Sequence, residues 1–108
     1  MDRVQRAISF IDGHLDDDLS LPQIAEALGI SPHHFAHVFR TTVGVAPHQY
    51  VIRRRVERAK QLLQTTDLPI VEIALVVGCA NQSHFSALFH RHTGLTPHAY
   101  RAARRAEL

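Results

Sequence analysis

Apolar residues recur along this chain at intervals of three and four, and most of the runs stop at a glycine or shortly before a proline. That period belongs to helices with one buried face, and no stretch alternates in the manner of a strand. Val4, Ala7, Ile8 and Ile11 predict an N-terminal helix ending near Leu15. Leu21, Ile24, Ala25 and Leu28 predict a second. Ser20 is its N-cap, Pro22 is tolerated in the first turn, and Gly29 takes the left-handed position that commonly ends a helix. Ser31 and Pro32 open a third helix, with an expected buried stripe of Phe35, Val38, Phe39 and Thr42 and a stop at Gly44. Pro47 opens a long helix reaching about Thr65, with Val56, Ala59, Leu62 and Leu63 turned to the core. Ile70, Ile73, Ala74 and Val77 form the next, before Gly78. Asn81 caps another, with Phe85, Leu88 and Phe89 inside and Gly94 at its end. Pro97 opens a last helix carrying Tyr100, Ala103 and Arg104. The expected class is all-α, with seven helices.

The pattern is duplicated. Ile24, Ala25 and Gly29 recur 49 residues later as Ile73, Ala74 and Gly78. After one inserted residue, His34, Phe35, Phe39, Gly44, Pro47, His48 and Tyr50 recur at an offset of 50 as His84, Phe85, Phe89, Gly94, Pro97, His98 and Tyr100. Each copy reads as two short helices joined by a glycine-containing turn, the helix-turn-helix description. An unrelated helical hairpin shows the same pattern, so one copy says little; a tandem pair says much more. The expected organisation is a first helix-turn-helix subdomain over residues 1–46, a linker helix over 47–65 and a second subdomain over 66–108. Nineteen helical residues from Pro47 to Thr65 span roughly 28 Å at about 1.5 Å each. One turn of DNA is about 34 Å, so recognition helices at either end of the linker are expected to meet successive major grooves.

Composition adds less than distribution. The chain has 108 residues, 45% of them hydrophobic and 20% charged, which suits a folded domain rather than a disordered tail. The formal net charge is only +2. Asp12, Asp16, Asp17 and Asp18 lie near the N-terminus. Arg53, Arg54, Arg55, Arg58 and Lys60 cluster mid-chain, and Arg101, Arg104 and Arg105 near the end. Eleven of the twelve basic residues are arginine, the side chain suited to bidentate phosphate and guanine contacts, although basic runs also occur as solvated helix faces. A lone Cys79 permits no internal disulfide and fits a reducing compartment. With no apolar run near the roughly 20 residues of a membrane span and no signal peptide, the chain reads as soluble and cytoplasmic, without membrane contact.

Tyr50, Arg55-Val56, Ala59, Leu62-Leu63, Ile70, Ile73-Ala74, Gly78, Ser83, Phe85-Ser86, Phe89, Gly94, Thr96-Pro97 and Tyr100-Arg101 form a long spaced pattern. It resembles the C-terminal DNA-binding domain of the AraC-type bacterial transcription regulators. The resemblance implies two subdomains joined by a linker helix, with one helix of each entering promoter DNA, here roughly Pro32 to Thr42 and Gln82 to His92. It further implies contact with RNA polymerase, a role in transcription activation, and an effector or dimerisation domain outside these helices, so that no small-molecule effector is expected on this chain. Two positions depart from the family pattern. Cys79 stands where an aromatic residue is usual, and Ala87 where a basic residue is common.

Helix geometry then names the candidate contacts. With Phe35, Val38 and Phe39 inward, the first recognition helix turns out His33, Ala36, His37 and Arg40. Imidazoles offer a ring donor or acceptor to base edges, Ala36 suits a thymine methyl, and Arg40 suits phosphate or guanine. The second helix turns out Ser83, Ser86, Ala87 and His90, with Gln82 at its leading end and suited to adenine. His33 and His37 also have i, i+4 chelating spacing among nine histidines. Zinc takes about four ligands, and no Cys, Asp or Glu lies nearby to complete a set. Histidines facing DNA or solvent account for the pair, and no metal or cofactor is expected. No nucleophile elbow, phosphate-cradling glycine loop or carboxylate pair points to an enzyme.

Overall fold

A computed structural model describes residues 2–107. It contains α1 (Arg3–Gly13), α2 (Leu21–Leu28), α3 (Pro32–Val43), α4 (Pro47–Thr65), α5 (Ile70–Val76), α6 (Gln82–Thr93) and α7 (Pro97–Ala106), with no strand among the described residues. The seven helices divide into two compact units, one ending at Arg54 and the other beginning at Arg55, so the division falls inside α4. The first turns of α4 contribute Val51 to the first core. Val56, Ala59 and Leu63, further along the same helix, are buried in the second half of the chain.

Local chemistry explains the helix starts. Asp2 and Gln5 form a reciprocal capping box at α1, and Ser20 and Gln23 form another at α2. Each satisfies two backbone donors that a helix start otherwise leaves open. Ser31, Asn81 and Thr96 accept from the third residue of α3, α6 and α7. Gly29 ends α2 at φ +72°, where a Cβ would be strained although space is open around it. α4 follows Ala46, whose methyl cannot cap, and α5 follows Pro69 with no side-chain cap; packing of Ile73 and Ala74 holds α5.

In the first unit Val4, Ala7 and Ile11 of α1, Ile24, Ala25 and Leu28 of α2, and Phe35 and Phe39 of α3 close one core. Three details differ from the sequence pattern. α1 stops at Gly13 rather than near Leu15; the ring of His14 stacks on Phe10 and its Nδ1–H donates to the Phe10 carbonyl at 2.7 Å, while Leu15 is buried beyond the helix end. Thr42 is exposed, and half-buried Val43 takes its place. Steps of four drift by about 40° around a helix, and the buried row follows Phe35, Phe39 and Val43 along that drift. Leu62 is likewise only half-buried, with Ala59 and Leu63 carrying the contact.

Cys79 is a small filler of the second core and is 3% exposed. Burial pushes its thiol above the ordinary range, and Arg55 partly opposes the shift. Since the thiolate is the reactive form, alkylation by iodoacetamide at neutral pH is expected to be slow in the folded protein and fast in denaturant. Mass spectrometry of timed samples checks this. Equal rates in both conditions would show that Cys79 is not held in the core.

Candidate nucleic-acid interface

Each unit holds one helix of twelve residues in the same way. In the first, Ser31 Oγ accepts from the His34 backbone N–H at 3.2 Å, Pro32 starts α3, and the Gly44 N–H closes it on the Arg40 carbonyl. The Phe35 and Phe39 rings sit 5.5 Å apart, and Phe39 meets the edge of Tyr50 from α4 at 5.5 Å. In the second, Asn81 Oδ1 accepts from the His84 N–H at 2.8 Å, and Gly94 closes α6 on the His90 carbonyl. Phe85 and Phe89 are 5.7 Å apart, and Phe89 meets Tyr100 of α7 at 5.3 Å. The aromatic rows fix the rotation of each helix about its own axis and so decide which side chains face out.

At the offset of 50, His33 corresponds to Ser83, Ala36 to Ser86, His37 to Ala87 and Arg40 to His90. The exposure matches pair by pair. His33, His37, Arg40, Ser83, Ala87 and His90 are exposed, as is Gln82, whereas Ala36 and Ser86 are both half-buried. Ala36 also lines a cavity of about 270 Å³ together with Ile24, Pro47 and Val51. It stands at the edge between the outward face and the core. His34, Thr41 and Arg91 are exposed on the same helices and were not among the expected contacts. The repetition of His34 as His84 was the available signal for the first of them.

The arginine clusters divide more sharply than their sequence positions suggest. Arg54 Nε reaches Asp12 at 2.9 Å, which ties α4 to the end of α1. Arg101 donates from Nε to the Leu63 carbonyl and from Nη2 to the Thr66 carbonyl, both at 3.1 Å. Arg105 pairs with Asp67 at 2.8 Å and also donates to the Thr66 carbonyl. Arg104 lies over the Tyr100 ring and pairs with Glu107 at 3.2 Å. The cluster near the end of the chain is therefore engaged internally. Arg40, Arg53, Arg58 and Arg91 are exposed and form no ion pair among the described residues. Nor do those residues contain a group of three or more His, Cys, Asp or Glu arranged for a metal ion, so the His33–His37 pair finds no third ligand there. No helix among them is long and apolar enough to cross a membrane.

Comparison with known proteins supplies the family. The helix-turn-helix domain family matches residues 24–103. A Chromobacterium violaceum transcriptional regulator described as an AraC-type DNA-binding domain-containing protein is 33% identical. It superposes with a TM-score of 0.87 over 94% of this chain and 91% of that one. The chain belongs to the AraC-type helix-turn-helix family. Its fold is also that of the DNA-binding domain of AdpA, a global transcriptional factor solved in complex with a target DNA. That match has 32% identity and a TM-score of 0.94 over 99% of this chain and 96% of that one. The regulatory protein SoxS of Salmonella typhimurium is 35% identical over 79 residues, covering 73% of this chain and 74% of SoxS. Three other regulatory proteins are longer, and the AraC-type chain spans 30%, 27% and 53% of their lengths. Members of this kind are binding modules of regulators, not enzymes. The Tyr100-Arg101 step of the AraC-type pattern has a visible purpose here: Tyr100 packs on α6 through Phe89, and Arg101 caps α4.

Proposed function

We propose that this chain binds double-stranded promoter DNA sequence-specifically to regulate transcription, with α3 and α6 as recognition helices in successive major grooves. The matched outward faces of α3 and α6 carry the reading. His33, Ala36, His37 and Arg40 form one DNA-contacting set, and Gln82, Ser83, Ser86, Ala87 and His90 the other. The DNA complex of the AdpA domain supports it as an analogy across the whole chain. RNA polymerase is the proposed protein partner, consistent with a relative named as a transcriptional activator. The bacterial cytoplasm is the proposed location. Selection of bound duplexes from a random pool tests the central statement. A two-box consensus is expected, and recovery of unenriched sequence would overturn it.

The two boxes are expected to differ. The outward face of α3 offers two imidazoles and a guanidinium, while the equivalent positions on α6 offer Ser83, Ala87 and His90, with Gln82 ahead of them. A bidentate base contact discriminates by about 1–3 kcal/mol, and alanine makes none. The α3 box is therefore expected to be sharply specified, and the α6 box held through phosphates and DNA shape. His37→Ala relaxes the α3 box; Ala87→Arg tightens binding and sharpens the α6 box toward guanine. Base-by-base substitution of the selected duplex measures this, and equal penalties in both boxes would refute the asymmetry.

A further inference from the structure

We infer that Arg101 and Arg105 are positioning residues for the second recognition helix, acting by clamping α7 to the C-terminal end of α4. This rests on the two-box DNA reading above. The last carbonyls of a helix have no partner within it and carry the negative end of its dipole, so a cation donating to them is doubly favoured. At the end of α4 those donors come from α7, far along the chain. Arg101 binds the Leu63 and Thr66 carbonyls, Arg105 binds the Thr66 carbonyl and the Asp67 carboxylate, and Gln64 donates to the Tyr100 hydroxyl at 2.8 Å. The Tyr100 ring then meets Phe89 at 5.3 Å, in the middle of α6. A continuous set of contacts thus runs from the end of α4 through α7 to α6.

The duplication explains why the clamp is needed. In the first unit the ring that supports α3 is Tyr50, which belongs to α4 itself. In the second unit the equivalent ring, Tyr100, sits on α7, a separate helix that must be fastened to α4 by side chains. The residue equivalent to Arg101 is Val51, a buried member of the first core. The two carbonyl bonds of Arg101 thus have no counterpart at Val51, and the first unit ties α4 to the end of α1 through Arg54 and Asp12 instead. The clamp matters in the second unit because α6 offers few base-reading side chains and depends on phosphate contacts. These demand placement within about 0.5 Å of the productive geometry.

The test replaces both arginines by lysine in the full chain, R101K/R105K, which keeps the charge and removes the guanidinium fork. Affinity is measured for the selected two-box duplex and for a shorter one that ends before the α6 box and so lacks its phosphates, with helical content checked by circular dichroism. The expected result is a roughly tenfold fall in the preference for the two-box duplex, with affinity for the shorter one within about twofold of wild type. An unchanged preference in a folded variant would overturn the clamp, as would an equal loss on both duplexes, which is the mark of a merely structural role. If the double variant does not fold, R105K alone leaves the Arg101 bonds in place. It must lose a smaller share of the preference, and a wild-type preference would again overturn the proposal. A wild-type chain with no preference between the duplexes would instead refute the two-box reading, and the clamp with it.

Discussion

Phe39→Ala and Phe89→Ala are each expected to destabilise the protein by about 3–5 kcal/mol, the usual cost of deleting a fully buried phenyl ring. Both rings have no exposed surface. Each touches a second phenylalanine on its own helix and the edge of a tyrosine from the next, so truncation removes two ring contacts and leaves a cavity. Domains of this size are stable by only about 5–15 kcal/mol, so either variant should lose a large part of the total. A loss of about 1 kcal/mol lowers Tm by roughly 4–8 °C in small domains, which makes the expected shift large in a melt followed by circular dichroism. The exposed Thr42 is the control, and Thr42→Ala should stay within about 0.5 kcal/mol of wild type. If the phenylalanine variants melt like the control, the aromatic rows do not set the helix rotation and the outward faces are misassigned.

DNA affinity should fall steeply with salt. Neutralised phosphates release counterions, which gives a slope of about −0.9 per contact on logarithmic axes. Arg3, Arg6, Arg40, Arg53, Arg58 and Arg91 are exposed and form no ion pair among the described residues, and the four of these on α3, α4 and α6 are the candidates for phosphate. If all four engage, the slope is about −3.6, and affinity falls roughly 150-fold between 50 and 200 mM salt. Arg40→Ala should reduce the slope by about one contact if it meets phosphate. Fluorescence anisotropy across a salt series measures both. A flat plot would sink the nucleic-acid reading altogether.

What could be read in advance follows the range of the forces involved. Caps act within a turn, so Ser20, Ser31 and Asn81 marked the starts of α2, α3 and α6 correctly. The Phe35–Phe39 and Phe85–Phe89 rows were legible because a large ring four residues after another has one face to occupy. Thr42 and Leu62 lay on the predicted faces and proved exposed or half-buried, because neighbours distant in sequence decide where a buried face ends. The arginines show the same limit more plainly. A run of like charges suggested a nucleic-acid surface, yet Arg54, Arg101 and Arg105 find acceptors 35 to 42 residues away. Charge type was visible in the sequence; the destination of each guanidinium was not. Among the candidate contacts, Ala36 and Ser86 proved half-buried for a similar reason, since they sit where the outward face curves into the core.

α2 and α5 start in different ways. The two helices are equivalent in the repeat and supply the same Ile-Ala pair to their cores. At eight and seven residues, neither is stable as an isolated helix in water. Residues 20–23 nevertheless carry their own start signal, a reciprocal pair that closes as soon as the first turn forms. The start of α5 has no such pair, and burial of Ile73 and Ala74, with Glu72 in the first turn, is what favours it. The local start signal is thus present at α2 and missing at α5, although α6 and α7 in the same half have theirs in Asn81 and Thr96.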